Sequence, residues 1–231
     1  MTFSRALLGC ALLALLTGCA GAGPAGGSSG DTAAPGRELD ADGLRAAALT
    51  DADLGPGWAV TLMNPGRNDT TPVRELADTP ACQPVLDAVA PGASSAGPLA
   101  EADLDVARAD DGRRSVYAGL LAFRPGRAEQ IQGELEKLIA TCATFTSGPP
   151  KGVRTTHRLA RVDTPTPGGA DAATAFTLTN ESGGTVLVQR ALMARAGTVL
   201  AVFTTVGSDR DPAPEPDAQV VRAQLGKLAG K

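Results

Sequence analysis

Apolar and polar positions along the chain follow three rhythms, and each predicts a different kind of element. Ala6 to Leu16 is an almost unbroken apolar run of about eleven residues, within the length of a secretory h-region and too short to stay across a membrane. Later, Ile131, Leu135, Leu138, Ile139 and Cys142 fall at i, i+4, i+7, i+8 and i+11, a continuous apolar stripe that predicts a helix with Cys142 facing inward. Val221, Leu225 and Leu228 predict a closing helix in the same way. "GLRAAALT", preceded by Asp40 and Asp42, predicts a short helix with carboxylates at its N-terminus. Thr50-Asp-Ala-Asp53 predicts a capped turn closed by Gly55-Pro56-Gly57. "TPACQPVLDAVAP" (79–91) reads as a loop entering a helix, with Pro84 in its first turn.

The remaining segments carry the two-residue rhythm of strands. "WAVTLM" (58–63) and "ADLDVARA" (102–109) are two of them, and the alternation in the second predicts Asp103 and Asp105 on a solvated face. "SVYAGLLAF" (115–123) is apolar on both faces and predicts a central strand. Then come "RTTHRLARV" (154–162), "ATAFTLTN" (173–180), "TVLVQRALMAR" (185–195) and "TVLAVFTTV" (198–206). Asn180–Gly184 marks one turn, and Ala196-Gly197 predicts a tight hairpin between the last two strands. Helices at the start, middle and end around consecutive strands predict an α+β sandwich, an antiparallel sheet packed against helices.

The end of the first apolar run changes the picture most. Leu16-Thr17-Gly18-Cys19 resembles a bacterial lipobox. The resemblance implies cleavage after Gly18 and lipidation of Cys19, which would hold the mature chain on the extracytoplasmic face of the membrane through acyl chains. Ordinary secretion, with Cys19 a bystander, is the alternative. Residues 1–18 are then a signal peptide and 19–38 the lipidated cysteine with a Gly/Ala/Ser/Pro tether, leaving 39–231 as a single domain. The eighteen residues "AGAGPAGGSSGDTAAPGR" bury too little to fold, and as a random coil they space the domain roughly 23 Å from the membrane.

Two cysteines remain in the domain, Cys82 and Cys142. In an oxidising compartment an even pair favours a disulfide, which would tie the striped helix to the 79–91 segment, with two buried free thiols as the alternative. The net charge of −4 over the whole chain and the scattered arginines provide no basic patch with interleaved aromatics, which argues against nucleic acid.

Candidate chemistry is sparse. His157 is the only histidine, and its strand pattern predicts an exposed or partly satisfied residue, not a base with nucleophile and orienting acid. One histidine and a paired cysteine set cannot hold zinc. Asp209, Asp211, Glu215 and Asp217 cluster between prolines, without the order of a calcium loop. No metal or cofactor is therefore expected. Trp58, behind Gly55-Pro56-Gly57, is expected to anchor the core and is the weak candidate for lining a ligand pocket.

Several segments together resemble a known family. "TPACQPVL", the helix ending in Cys142, the "VQRALMARAGTVLAVF" hairpin and the terminal helix occur in the order seen in the PknH-like extracellular sensor domains of mycobacteria and their relatives. Some envelope lipoproteins carry this domain without a kinase, and the chain looks like one of those. The resemblance implies helices on an antiparallel sheet, and a cleft for a small molecule. Family members often carry a second disulfide between the last two strands. Its sites align with Val188 and Thr205, which a turn at Ala196-Gly197 would set opposite each other, without the cysteines. The resulting expectation is a non-catalytic, membrane-tethered domain binding a small molecule or an envelope protein. A lipid or glycolipid carrier with a large apolar cavity is the first alternative, and an envelope hydrolase the second.

Overall fold

The computed structural model describes residues 38–63, 75–89, 97–149 and 151–230. The first helix, α1 (Ala41–Ala47), starts where the Asp40 carboxylate accepts the Gly43 N–H at 2.8 Å. The next turn, α2 (Asp51–Leu54), is closed by a capping box between Thr50 and Asp53. β1 (Trp58–Met63) follows with the bounds its alternation predicts. A 3-10 turn at Pro80–Cys82 leads into α3 (Gln83–Val89), with Pro84 in the first turn where its missing N–H costs nothing. β2 (Ala100–Arg108) and β3 (Asp111–Ala122) form the next pair. α4 (Arg127–Thr141) carries the apolar stripe and buries Leu135 and Ile139.

A short strand that the sequence pattern did not reveal, β4 (Thr144–Ser147), comes directly after α4. Four residues are too few to display a period. β5 (Thr155–Val162), β6 (Ala172–Ser182), β7 (Thr185–Ala196) and β8 (Val199–Ser208) complete the sheet, and α5 (Ala218–Leu228) closes the chain behind its Asp217 cap.

All pairings are antiparallel, in the order β1-β2-β3-β8-β7-β6-β5-β4. Two meanders therefore meet where β8 lies beside β3, and β1 and β4 are the opposite edges. Residues 75–78 run along β4 as a strap: Ala77 bridges Ser147, Asp78 N–H donates to Thr146 O at 2.8 Å, and Gly148 N–H donates to Leu76 O at 3.3 Å. The strap satisfies an edge that would otherwise invite another strand.

Each face of the sheet has its own core. On the first, α1, α2 and α5 cover Leu104, Val106, Ala118, Leu120, Leu192 and Phe203. On the second, α3 and α4 cover Leu159, Phe176, Leu178, Met193, Leu200 and Val202. Burial on both sides explains why β8 reads as a solid apolar run instead of an alternation: Val199 to Thr205 are all buried. Cys82 and Cys142 are disulfide-bonded, Cα to Cα 5.8 Å, joining the start of α3 to the end of α4 within the second core.

The last hairpin differs from its expectation. The two turn residues are Gly197 and Thr198, and Ala196 pairs with Val199. A two-residue turn of this hand takes glycine first, and Gly197 supplies the positive φ of 60°. The Gly197 N–H is also held by Asp171 Oδ2 at 2.8 Å. The register is thereby displaced, so Val188 faces Gly207 and Thr205 faces Arg190. Val188 and Thr205 are not opposite each other. Gly207 is itself required: a Cβ there would lie 2.2 Å from the Ala213 backbone nitrogen, where the 209–217 loop folds back on β8.

Candidate functional site

Register and alternation bring polar side chains together on the second face, next to the area that α3 and α4 cover. Asp103 of β2, Tyr117 of β3, Thr204 of β8, Gln189 of β7, Asn180 of β6 and His157 of β5 all point from this face. Met63, Leu187 and Val206 share it and are exposed.

Asp103 is not solvated, contrary to the alternation in its strand; it is 3% exposed. Its direct neighbour across the pair is Gly119, while Tyr117 faces Asp105. The phenol reaches diagonally over Gly119 and donates its hydrogen to Asp103 Oδ1. A Cβ at 119 would sit in ordinary van der Waals contact with both, 3.6 Å from Asp103 Oδ1 and Tyr117 Cε1. Burial pushes the Asp103 carboxyl up, and the Tyr117 hydrogen bond pulls it partly back. Burial, together with the Asp103 carboxylate, keeps the Tyr117 phenol protonated well above its ordinary range. Thr204 faces Tyr117 across β3 and β8. Its hydroxyl is buried and has no hydrogen-bond partner among the described residues. This cluster holds a carboxyl, a phenol and a spare hydroxyl, the polar equipment for orienting a ligand's hydroxyl or amide group.

A second polar row crosses β4 to β7. His157 is 1% exposed, not the exposed or half-satisfied residue its strand pattern suggests. The reason is its position: β5 is covered on this side by β4, the strap and α4, and the ring stacks on Phe145 with centroids 4.7 Å apart. Nε2 lies 2.5 Å from Ser147 Oγ and Nδ1 lies 2.7 Å from Asn180 Oδ1. Asn180 donates to Gln189 Oε1 at 2.9 Å, and Ser147 donates to the Glu75 carboxylate of the strap. The spacing of serine, histidine and asparagine is that of a nucleophile, a base and an orienting group. Ser147 is 0% exposed, however, and its hydrogen is committed to Glu75, so in this arrangement no carbonyl reaches the hydroxyl.

Two cavities are notable, one on each face of the sheet, the first on the face opposite these rows. A cleft of about 650 Å³ lies between α1, the end of α5 and the β7–β8 turn, lined by Leu39, Ala46, Asp171, Val199, Lys227 and Leu228. A smaller apolar pocket of about 120 Å³ sits between α3, α4 and the sheet, against Phe123, Ile131, Met193 and Leu200. Trp58 lines neither. It is packed in the first core with the Arg108 guanidinium 5.2 Å over its ring.

Among the described residues no group of three or more histidine, cysteine, aspartate or glutamate side chains is placed to hold a metal. Two of the four loop acids have other work: Glu215 pairs with Arg190, and Asp217 caps α5. Among the described residues no helix is long and apolar enough to cross a membrane. Cys19 lies outside the described residues.

Sequence reasoning missed Tyr117, Ser147, Asn180, Gln189 and Thr204 because each is ordinary in its own strand. Only the register makes them neighbours. The one local sign was polar residues inside otherwise apolar strand patterns.

No family model matches the chain, and no curated protein matches it. A crystal structure of an uncharacterised protein from Mycobacterium smegmatis is similar at 12% identity, with a TM-score of 0.39, covering 79% of this chain and 95% of that one. A likeness at that level decides neither fold nor function here.

Proposed function

We propose that this chain is an exported lipoprotein, anchored through Cys19 to the extracytoplasmic face of the cell membrane, whose domain binds a small polar envelope molecule without transforming it. The observation that carries the reading is the cluster of buried Asp103 and Thr204 with half-buried Tyr117, with a spare hydroxyl, beside exposed Met63, Leu187 and Val206 on one sheet face. Polar groups with unused capacity next to apolar surface are what a ligand site supplies. The lipobox-like Leu16–Cys19 and the Cys82–Cys142 disulfide support export. The ordered resemblance to PknH-like sensor domains supports a recognition role.

The carrier alternative is less favoured, because the apolar pocket beside Phe123 holds about 120 Å³, against the roughly 300–1,000 Å³ of sites that enclose drug-sized ligands, and the larger cleft of about 650 Å³ carries the charged Asp171 and Lys227 in its wall. The hydrolase alternative is less favoured because Ser147 is sealed beneath Glu75.

The test has two parts. Full-length protein produced in a high-GC Gram-positive host is expected in the membrane fraction with acyl mass on Cys19, and Cys19→Ala is expected in the medium. An unacylated protein with its initiator methionine, found in the cytosol, overturns the anchoring. Native mass spectrometry against an aqueous extract of the same envelope is expected to show a bound small molecule that Thr204→Val loses. Because that variant removes an unpartnered buried hydroxyl, it is expected to keep or raise thermal stability. Stoichiometric co-purified lipid supports the carrier instead.

A further inference from the structure

We propose that His157 is a proton-operated selector: its charge decides whether Gln189 offers a hydrogen-bond donor or an acceptor to the sheet face described above. The inference deepens the binding reading and rests on it for its purpose, though not for its test.

The argument is a count of hydrogens along one row. Asn180 Nδ2 donates to Gln189 Oε1, so Asn180 turns its Oδ1 to His157 Nδ1, 2.7 Å away. A carbonyl oxygen only accepts, so Nδ1 carries a hydrogen. At the other end of the ring, Ser147 gives its single hydrogen to Glu75. Its oxygen can then only accept from Nε2, 2.5 Å away, so Nε2 carries a hydrogen too. With both nitrogens protonated the ring is an imidazolium, and Glu75 Oε1, 3.7 Å from Nε2, balances its charge.

Among the described residues no other charge near the ring is free to do so. Asp78 is held by Arg154 and Thr146. Arg158 and Glu181 pair with each other on the opposite face. The buried face of α4 presents Ala128, Gln132, Leu135 and Ile139, none of which titrates. Asp87 of α3 is engaged by Gln83.

Loss of the Nδ1 proton would set two acceptors against each other at 2.7 Å, beside a ring that is itself buried. Loss of the Nε2 proton would instead break the bond to Ser147 or the bond from Ser147 to Glu75. The repair that keeps every bond is a half-turn of both amides. Asn180 Nδ2 then donates to Nδ1, and Gln189 Nε2 donates to Asn180 Oδ1. Amide oxygen and nitrogen are nearly the same size, so packing is unchanged. The outward end of Gln189 is inverted. In the charged state Nε2, which has no partner among the described residues, is the group available to a ligand. In the neutral state it is Oε1.

The sole histidine makes the test clean. The 15N-labelled protein, without ligand, is titrated from about pH 5 to pH 8, the range in which imidazoles change charge, and the ring nitrogens and side-chain amides are followed by NMR. Expected are two protonated ring nitrogens at the acid end, a neutral ring that keeps its hydrogen on Nε2, and Asn180 and Gln189 amide resonances that move with the same midpoint. A neutral ring with its hydrogen on Nδ1, a ring that does not change state, or a titration that leaves both amides still overturns the selector. In Asn180→Asp a fixed acceptor sits beside Nδ1. There the midpoint is expected to rise by about one pH unit or more, and the Gln189 amide is expected to stop following pH. If that variant does not fold, the titration of the unaltered protein decides alone. A failed selector leaves the binding reading intact, and failure to find a ligand leaves the titration result intact.

Discussion

Tyr117→Phe is the sharpest perturbation of the candidate site, because it deletes one oxygen and keeps the ring over Gly119. In the folded protein that oxygen supplies a hydrogen to a carboxyl that is 3% exposed. A hydrogen bond to a charged partner contributes about 1.5–3 kcal/mol net, and stranding the buried partner costs about as much. For a domain of this size each kcal/mol is about 2–4 °C in Tm, so a fall of roughly 3–12 °C is expected. Removing both partners with apolar groups of similar shape is nearly neutral. Asp103→Leu with Tyr117→Phe should therefore be more stable than Tyr117→Phe alone, and Tyr117→Phe should cost almost nothing on the Asp103→Leu background. Urea unfolding of the four proteins at pH 7 gives the coupling directly. The pH dependence supplies a second check. Burial makes the folded state hold the Asp103 proton more tightly than the unfolded chain does. Its contribution to stability is thus fully present below the ordinary carboxylate value and is lost as pH rises through the raised folded one. The unaltered protein should therefore lose stability relative to Asp103→Asn as pH climbs from acid to neutral. Equal costs for Tyr117→Phe on both backgrounds would refute the claim that these two groups are coupled.

Two further expectations follow from other parts of the fold. The Cys82–Cys142 bond closes a loop with a sequence separation of 60, so Cys142→Ser with Cys82→Ser should lose about 4 kcal/mol in urea unfolding by the chain-entropy model; an unchanged midpoint counts against a bridge in the native protein. Asp53 completes the capping box of α2 by accepting the Thr50 N–H and receives Lys227 Nζ of α5 at 2.8 Å, and that lysine hydrogen bond, first among its causes, holds the carboxyl below its ordinary value. Asp53→Ala should cost about 1 kcal/mol at neutral pH, and since a lowered folded value contributes stability above the unfolded one and loses it as pH falls through the folded one, the two proteins should converge in acid; a gap that persists at low pH removes the charge argument.

Local pattern made most of the elements legible. β1, the stripe of α4, the capped starts of α1 and α2, and the four long strands after residue 154 each announce themselves through spacing or a cap. The pattern misled where neighbours outweigh period. Asp103 looked solvated because its strand alternates, yet it is buried with Tyr117 laid over Gly119. His157 looked like an exposed or partly satisfied strand residue, yet the four-residue β4 and the 75–78 strap close over it. The hairpin was displaced because the left-handed turn position belongs to Gly197 as the first of the two turn residues, and that choice re-pairs every residue from Leu187 to Ser208.

By itself, the sequence determined the class of the fold and the inward direction of Cys142, since these depend on residue type and on contacts a few positions apart. Only the tertiary structure decided that β8 enters beside β3, that Thr204 meets Tyr117, and that Glu75, Ser147, His157, Asn180 and Gln189 form one row. Those pairings span from 9 residues, between Asn180 and Gln189, to 87, between Tyr117 and Thr204. Strand order and register, which no local period encodes, select them by which apolar faces can be buried together.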